Sequence, residues 1–454
     1  MNLASEIKQA RQAAERYHHL LRDIYTDDFR AEFTRIMSSG WLDYGGRPLC
    51  PFMRPHFITH GQLALVNEDM EAIIVAFRRL GEQARSSPAL QDAMGITPEE
   101  RELIALPPGY DNPSVMSRLD TFLTDIGLQL VEYNAECPTG VGYNERLYMA
   151  FMRLDLMRRF SREYALQASD AMEDVLQALL RSYRQFGGTQ QPNIAIVDWS
   201  TVVTRGEFEI FREYFEARGY ATRLVDPREL TWNGKVLSAG DYRIDIVYRR
   251  VLTAEFLEKR TECQAMEEAY RAQGACFVNN FQTKLLHKKL VFAALLDEGF
   301  LGELPAGVAK TLRRCVPWTA RLAEGKVPRR GETIDLLETL LAERERFVLK
   351  PNDDYGGRGI SLGWQLTDPV WAAILRKALA DQEVIWVVQE RVHLWQEPFP
   401  DLEGHVQPRY VDLDPFIFTD YYRGFLTRLS NAAISNVTAG GGQAPTFILS
   451  PRES

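Results

Sequence analysis

The chain has 454 residues, 45% of them apolar and 25% charged, with a formal net charge of −9. That is enough for two or three units around a large core, while the acidic balance argues against broad nucleic-acid binding, which needs basic surface. No apolar run reaches membrane-spanning length, the N-terminus lacks the apolar core of a secretory signal, and five scattered cysteines without a C-x-x-C predict reduced thiols in a cytoplasmic protein.

Residues 1–110 read as a helical region. Amphipathic spacing marks residues 4–24, 27–37 and 68–85, around an irregular segment at 41–60. The region carries no motif. Its expected role is packing, a share in a substrate pocket, or a homodimer contact.

Residues 111–190 hold the most informative stretch, R-L-D-T-F-L-T-D-I-G-L-Q-L-V-E-Y-N from Arg118 to Asn134. Arg118 and Asp120 are two apart, as are Glu132 and Asn134, so each pair shares a strand face. A hairpin turning at Gly127 brings Asp120, Glu132 and Asn134 together, three oxygen donors of the kind magnesium takes. Arg118 beside them suits phosphate. The plainer reading is a charged hairpin face in water. The loop 135–143 follows, constrained by Pro138, Gly140 and Gly142 so that its backbone can approach a ligand. Residues 144–160 and 168–186 then read as two helices.

Residues 191–270 read as a parallel α/β unit: strand 193–198, helix 207–218, strand 221–225 and strand 245–248. No G-x-G-x-x-G follows the first strand, which argues against a nicotinamide dehydrogenase.

In residues 271–404, a strand at 276–280 precedes Lys284 and then His287-Lys288-Lys289, which open an apolar helix at 290–296. Lysines at a helix start oppose its dipole unless an anion sits there; otherwise they are simply solvated. Strand 347–351 carries Lys350 among apolar neighbours, and Gly356, Gly357 and Gly359 follow in a loop whose amides can wrap phosphate. No helix is expected directly after it. Strand 384–388 leads into Gln389-Glu390-Arg391-Val392, an edge suited to a purine, with Glu390 in reach of ribose hydroxyls. Residues 405–454 read as strands 409–418, 424–429, 434–437 and 446–449, with a glycine run at 440–442 that is either an anion nest or a mobile loop.

Together these pieces resemble the ATP-grasp ligases, and more narrowly the circularly permuted group that contains glutathionylspermidine synthetase. Arg118, Asp120, Glu132 and Asn134 match that group's R-x-D, eleven residues, E-x-N signature, and E-Y-N-A-E-C-P-T continues it over residues 132–139. The Phe-Val-Leu-Lys-Pro stretch with its glycine loop, and Gln389-Glu390-x-Val392, resemble the family's nucleotide lysine, phosphate cover and adenine hinge. Residues 244–250 and the pattern Thr427, Arg428, Asn436 and Gly440–Gly442 are similar to further permuted members. Gly140-Val141-Gly142-Tyr143 departs from the synthetase.

The resemblance implies a mixed α+β and α/β chain: a circularly permuted ATP-grasp fold, a Rossmann-like pre-ATP-grasp unit at 191–270 and a helical N-terminal region. It implies ATP and magnesium, with Asp120, Glu132 and Asn134 as metal ligands. Lys289 (preferred over Lys284 and Lys288), Lys350, Gly356, Gly357, Gly359, Gln389, Glu390 and Val392 would hold the nucleotide. Arg118 would act on the transferring phosphoryl group and Arg428 on the carboxylate, with Asn436 and the glycine run lining that pocket. The implied activity is ATP-dependent ligation of a carboxylate and an amine, drawn from amino acids, peptides or polyamines. The alternatives on the same fold are a small-molecule kinase and a non-catalytic nucleotide-binding scaffold.

Overall fold

A computed structural model describes residues 3–168, 170–354, 356–432 and 441–452. Asn436, Gly440 and the strand expected at 434–437 lie outside those residues. Three sheets set the architecture. The largest is antiparallel, in the order Gly442–Gln443, Tyr421–Ser430, Val406–Phe418, Met116–Thr124 and Gly127–Asn134, with Gln396–Pro400 also paired to Val406–Phe418. The last strands of the chain therefore complete the sheet that the early hairpin begins. A second antiparallel sheet orders Thr319–Arg321, Trp386–Glu390, Phe347–Pro351 and Ser361–Leu362. The third is parallel, in the order Cys276–Val278, Ile246–Arg249, Ile194–Val197 and Thr222–Val225; to the three strands expected within 191–270 it adds Cys276–Val278, which the sequence reading put in the following segment.

The N-terminal region is mainly helical. Leu3–Ile24 buries Ala13, Ala14, Tyr17 and Leu21, and the helix His60–Ser86 starts at a capping box in which Thr59 and Gln62 satisfy each other's backbone amides. The strand His56–Thr59 pairs in parallel with Thr446–Pro451, tying this region to the C-terminal end.

Several expectations need correction. Residues 144–160 form two helices, Val141–Met152 and Asp155–Phe160, and Ala168 ends a strand, Tyr164–Ala168, before the helix Met172–Gln185. The glycine loop is followed directly by the strand Ser361–Leu362 and not by a helix, as expected; the helix Asp368–Ala380, not among the expected elements, begins further on at Asp368-Pro369. The strand expected at 384–388 is Trp386–Glu390, so Gln389 and Glu390 lie within it. Lys284, Lys288 and Lys289 are buried, not solvated; they span a short helix, Lys284–His287, and the extended break at Lys288 before Val291–Leu295. All five cysteines are free, and among the described residues no helix is long and apolar enough to cross a membrane.

Candidate active site

The hairpin pairs Arg118 with Asn134 and Asp120 with Glu132, then bulges between Asp120 and Thr121. A bulge frees one backbone amide from the ladder. Here the extra residue is Val131, while Thr121, still opposite Leu130, donates its N–H to Asp414 Oδ1 (2.9 Å) on the strand to its other side. Gly127 turns the hairpin at φ +111°, and a Cβ there would fall 2.5 Å from Asp69 Oδ2. Asp69 is fully buried, paired with Arg314 and accepting from Leu128 N (2.9 Å), so this clamp requires glycine at the turn.

The open ends are fixed by one side chain. Asn279 Oδ1 accepts from Val115 N and Met116 N (both 3.0 Å), and its Nδ2 donates to the carbonyls of Met116 (2.6 Å), Ala135 (3.1 Å) and Glu136 (2.9 Å). The loop beyond is held likewise: Glu207 accepts from Gly140 N (2.6 Å) and Gly142 N (3.1 Å), and Arg250 donates to Pro138 O (2.8 Å) and Thr139 Oγ1 (2.9 Å).

Within this frame Asp120 gathers the polar groups. Its Oδ1 accepts from Arg118 Nε (2.9 Å) and Asn134 Nδ2 (2.8 Å), and its Oδ2 from Arg428 Nη2 (2.7 Å). Burial opposes ionisation, but the two guanidinium groups outweigh it and hold the carboxyl at about 2. Arg428 also meets Asp412 (2.9 Å) and Asp414 (3.0 Å). Glu132 pairs with Lys289 Nζ (3.1 Å), which also donates to Asp354 O (2.6 Å) at the root of the glycine loop.

The second sheet faces the hairpin across a cleft of about 800 Å³, counted out to its mouth. Lys350 Nζ crosses it, donating to Val131 O (3.2 Å) on the hairpin and to Gln389 Oε1 (2.7 Å) on its own sheet. Burial pushes the Lys350 ammonium down to about 8, against the pull of Glu132. Asp120, Glu132, Lys350, Gly356, Gly357, Gln389, Glu390, Val392 and Arg428 all line this cleft. Glu390 is already paired with Arg329 (2.7 Å) and Arg330, and Gln389 supports Lys350, so both do more than edge a purine site.

Asp120 and Glu132 offer two carboxylates and Asn134 an amide, and no third carboxylate, His or Cys joins them at metal-holding spacing among the described residues. This all-oxygen set fits a hard divalent cation that keeps part of its water shell. Lys284 and Lys288 stand apart from it. Lys284 is bound to Asp353 (2.6 Å) and Glu136 (3.4 Å), and Lys288 to Glu100 (2.7 Å) and Gly95 O (2.6 Å). Sequence reasoning missed Asp412, which the Asp-Leu-Asp alternation at 412–414 displayed, and Asn279, which no motif announced.

No family model matches the chain. Uncharacterized proteins of Mycobacterium tuberculosis and Mycobacterium bovis are 27% identical to it over 350 residues, 72% of this chain and 58% of theirs. The chain thus spans 58% of the length of those curated relatives. A putative glutamate–cysteine ligase of Frankia alni is 31% identical over 117 residues, 24% of this chain and 13% of that one. Among solved structures, a glutathione synthetase-like effector of Globodera pallida covers 93% of this chain and 96% of its own at a TM-score of 0.61 and 11% identity. The fold of this chain is therefore similar to that of a glutathione synthetase-like effector.

Proposed function

We propose that the chain is an ATP-grasp ligase in the circularly permuted order, joining a small carboxylate to an amine through an acyl phosphate. One observation carries the reading. Lys350 and Lys289, from strands and turns far downstream, reach the hairpin that bears Asp120, Glu132 and Asn134, and the cleft between is walled on one side by a glycine loop. The fold likeness to a glutathione synthetase-like effector and the partial likeness to a putative glutamate–cysteine ligase support it.

ATP would lie in the cleft with its base toward Gln389, Glu390 and Val392 and its phosphates under Gly356, Gly357 and Gly359. Asp120, Glu132 and Asn134 would hold magnesium, which would supply positive charge to offset that of the phosphates. Lys289, Lys350 and Arg118 supply the remaining positive charge around the γ-phosphoryl group. The substrate carboxylate attacks that group and ADP leaves. The amine then attacks the acyl carbon, expels phosphate and loses a proton, which leaves an amide. Arg428 holds the carboxylate, and its three acidic neighbours fix the guanidinium in place until then. An acyl phosphate hydrolyses readily, so the loop must exclude water while it exists.

Incubation with ATP, magnesium and pooled amino acids, peptides and amines is expected to release ADP and phosphate together with a new amide detectable by mass spectrometry. Release of AMP and pyrophosphate would refute this route. A stable phosphorylated small molecule without an amide would show a kinase.

A further inference from the structure

The cleft is not the only large cavity against the hairpin sheet. A second, of about 970 Å³ counted to its mouth, lies beneath the first helix, Leu3–Ile24, and against the far side of the same strands. Side chains alternate along a strand. Asp412 faces the cleft, while Val411 and Leu413 on either side of it face this cavity. The backbone of that strand therefore stands between the two spaces. The cavity exists because the helix presents Ala10 and Ala14 there, one turn apart, where longer side chains would close it.

Its floor is apolar, made by Ile7, Ala10, Ala14, Val411 and Leu413, and Trp395 forms one wall. Its charges are mixed. Glu397 is already neutralised by Arg54 (3.0 Å) and lies 3.4 Å from His56, which also lines the cavity. Arg11, Glu15 and Asp125 are exposed and form no ion pair among the described residues, and Arg11 lies over the Trp395 ring at 4.9 Å. A purely anionic ligand would meet two carboxylates, and an uncharged one would leave the three charges unused. A molecule with a carboxylate for Arg11, an ammonium for Glu15 or Asp125, and an apolar body for the floor satisfies them all.

We propose that this cavity is a second small-molecule site, taking an amino acid or dipeptide zwitterion with an apolar side chain. Its occupant is bound apart from the cleft, on the other face of the strand that carries Asp412. The proposal does not depend on the ligase reading.

Calorimetry on the full chain without nucleotide tests it, using amino acids, apolar dipeptides and their amides and N-acetyl derivatives. Expected are saturable binding by an apolar zwitterion and a loss of about tenfold or more when either charge is blocked or Arg11 is changed to Ala, the scale of one charge-assisted hydrogen bond. Ala10→Leu is expected to abolish binding by filling the floor. Should that variant misfold, Arg11→Ala, at an exposed side chain, still decides. No binding at millimolar concentration, or binding indifferent to both charges, would overturn the proposal. So would binding lost in Asp120→Asn but kept in Arg11→Ala, because the ligand would then sit in the cleft.

Discussion

The two walls of the cleft are built to different tolerances. On the hairpin wall the backbone is held by dedicated side chains: Asp414 on Thr121 N, Asp69 with Arg314 at the turn, Asn279 at the open ends. On the opposite wall the glycine loop has backbone in the left-handed region at Gly356, Gly357 and Gly359, and a Cβ at Gly356 would meet nothing within 4 Å. The loop's root is pinned by Lys284 on Asp353 (2.6 Å) and by Asn352 Oδ1 accepting from Leu290 N (2.9 Å). Groups that must hold charge to a fraction of an ångström sit on the rigid wall, and groups that must admit and cover a nucleotide sit on the compliant one.

The contrast breaks most visibly at Asp120. Asp120→Asn keeps the shape but removes the charge that Arg118 and Arg428 share. ADP release is expected to fall by at least about a hundredfold, since losing even a group behind a metal ligand costs about 10- to 100-fold. A near-normal rate would remove the hairpin from the chemistry.

Asn279→Ala attacks the same wall without touching the cleft. It strands two buried amides and removes the donor to three carbonyls. A loss of about 3 kcal/mol or more in urea unfolding is expected from unsatisfied buried groups. Unchanged stability would mean that the hairpin ends hold themselves.

Lys350 sharpens the comparison because it bridges both walls. Its ammonium is held near 8 in the folded protein, below its ordinary 10.5. The folded state is therefore penalised fully below about pH 8, and that penalty fades as pH rises toward the unfolded value. A bound triphosphate would restore the higher value. Nucleotide affinity is then expected to be flat below about pH 8 and to weaken above it, with proton uptake on binding visible by calorimetry in buffers of different ionisation heat. Lys350→Met should weaken binding and abolish the pH step. Acid acts the other way: Asp120, Glu136 and Glu397 are each held near 2, so the stability they lend is present above about pH 4 and is lost as pH falls toward 2.

What the sequence disclosed follows the same division. The hairpin was legible because strand periodicity and four polar residues at fixed spacing carry register directly, and Lys350 because a lysine between apolar strand residues needs an explanation. The lysines at 284–289 read equally as anion-binding or solvated, because nothing nearby shows that Glu100, Glu136 and Asp353 arrive from three distant segments to bury Lys284 and Lys288, and Glu132 to meet Lys289. Asn279 was invisible for the related reason that one amide serving five backbone groups leaves no pattern in its own neighbourhood. The helix Asp368–Ala380 does carry a start signal in the sequence, since Pro369 marks its first turn.

The smallest expected effects lie on the compliant wall, and two glycines there should differ. At Gly356 an added methyl meets open space, so Gly356→Ala carries only the cost of a left-handed backbone, about 1 kcal/mol, with little change in rate. At Gly359 the methyl would lie 2.7 Å from Pro351 Cγ, and Pro351 adjoins Lys350 on a strand that cannot yield without moving the ammonium. Gly359→Ala is therefore expected to raise the KM for ATP several-fold and to cost more stability than Gly356→Ala, which leaves the KM in place. Equal KM values for the two variants would mean that the loop transmits nothing to the Lys350 strand, and that this wall gives way along its whole length, strand included.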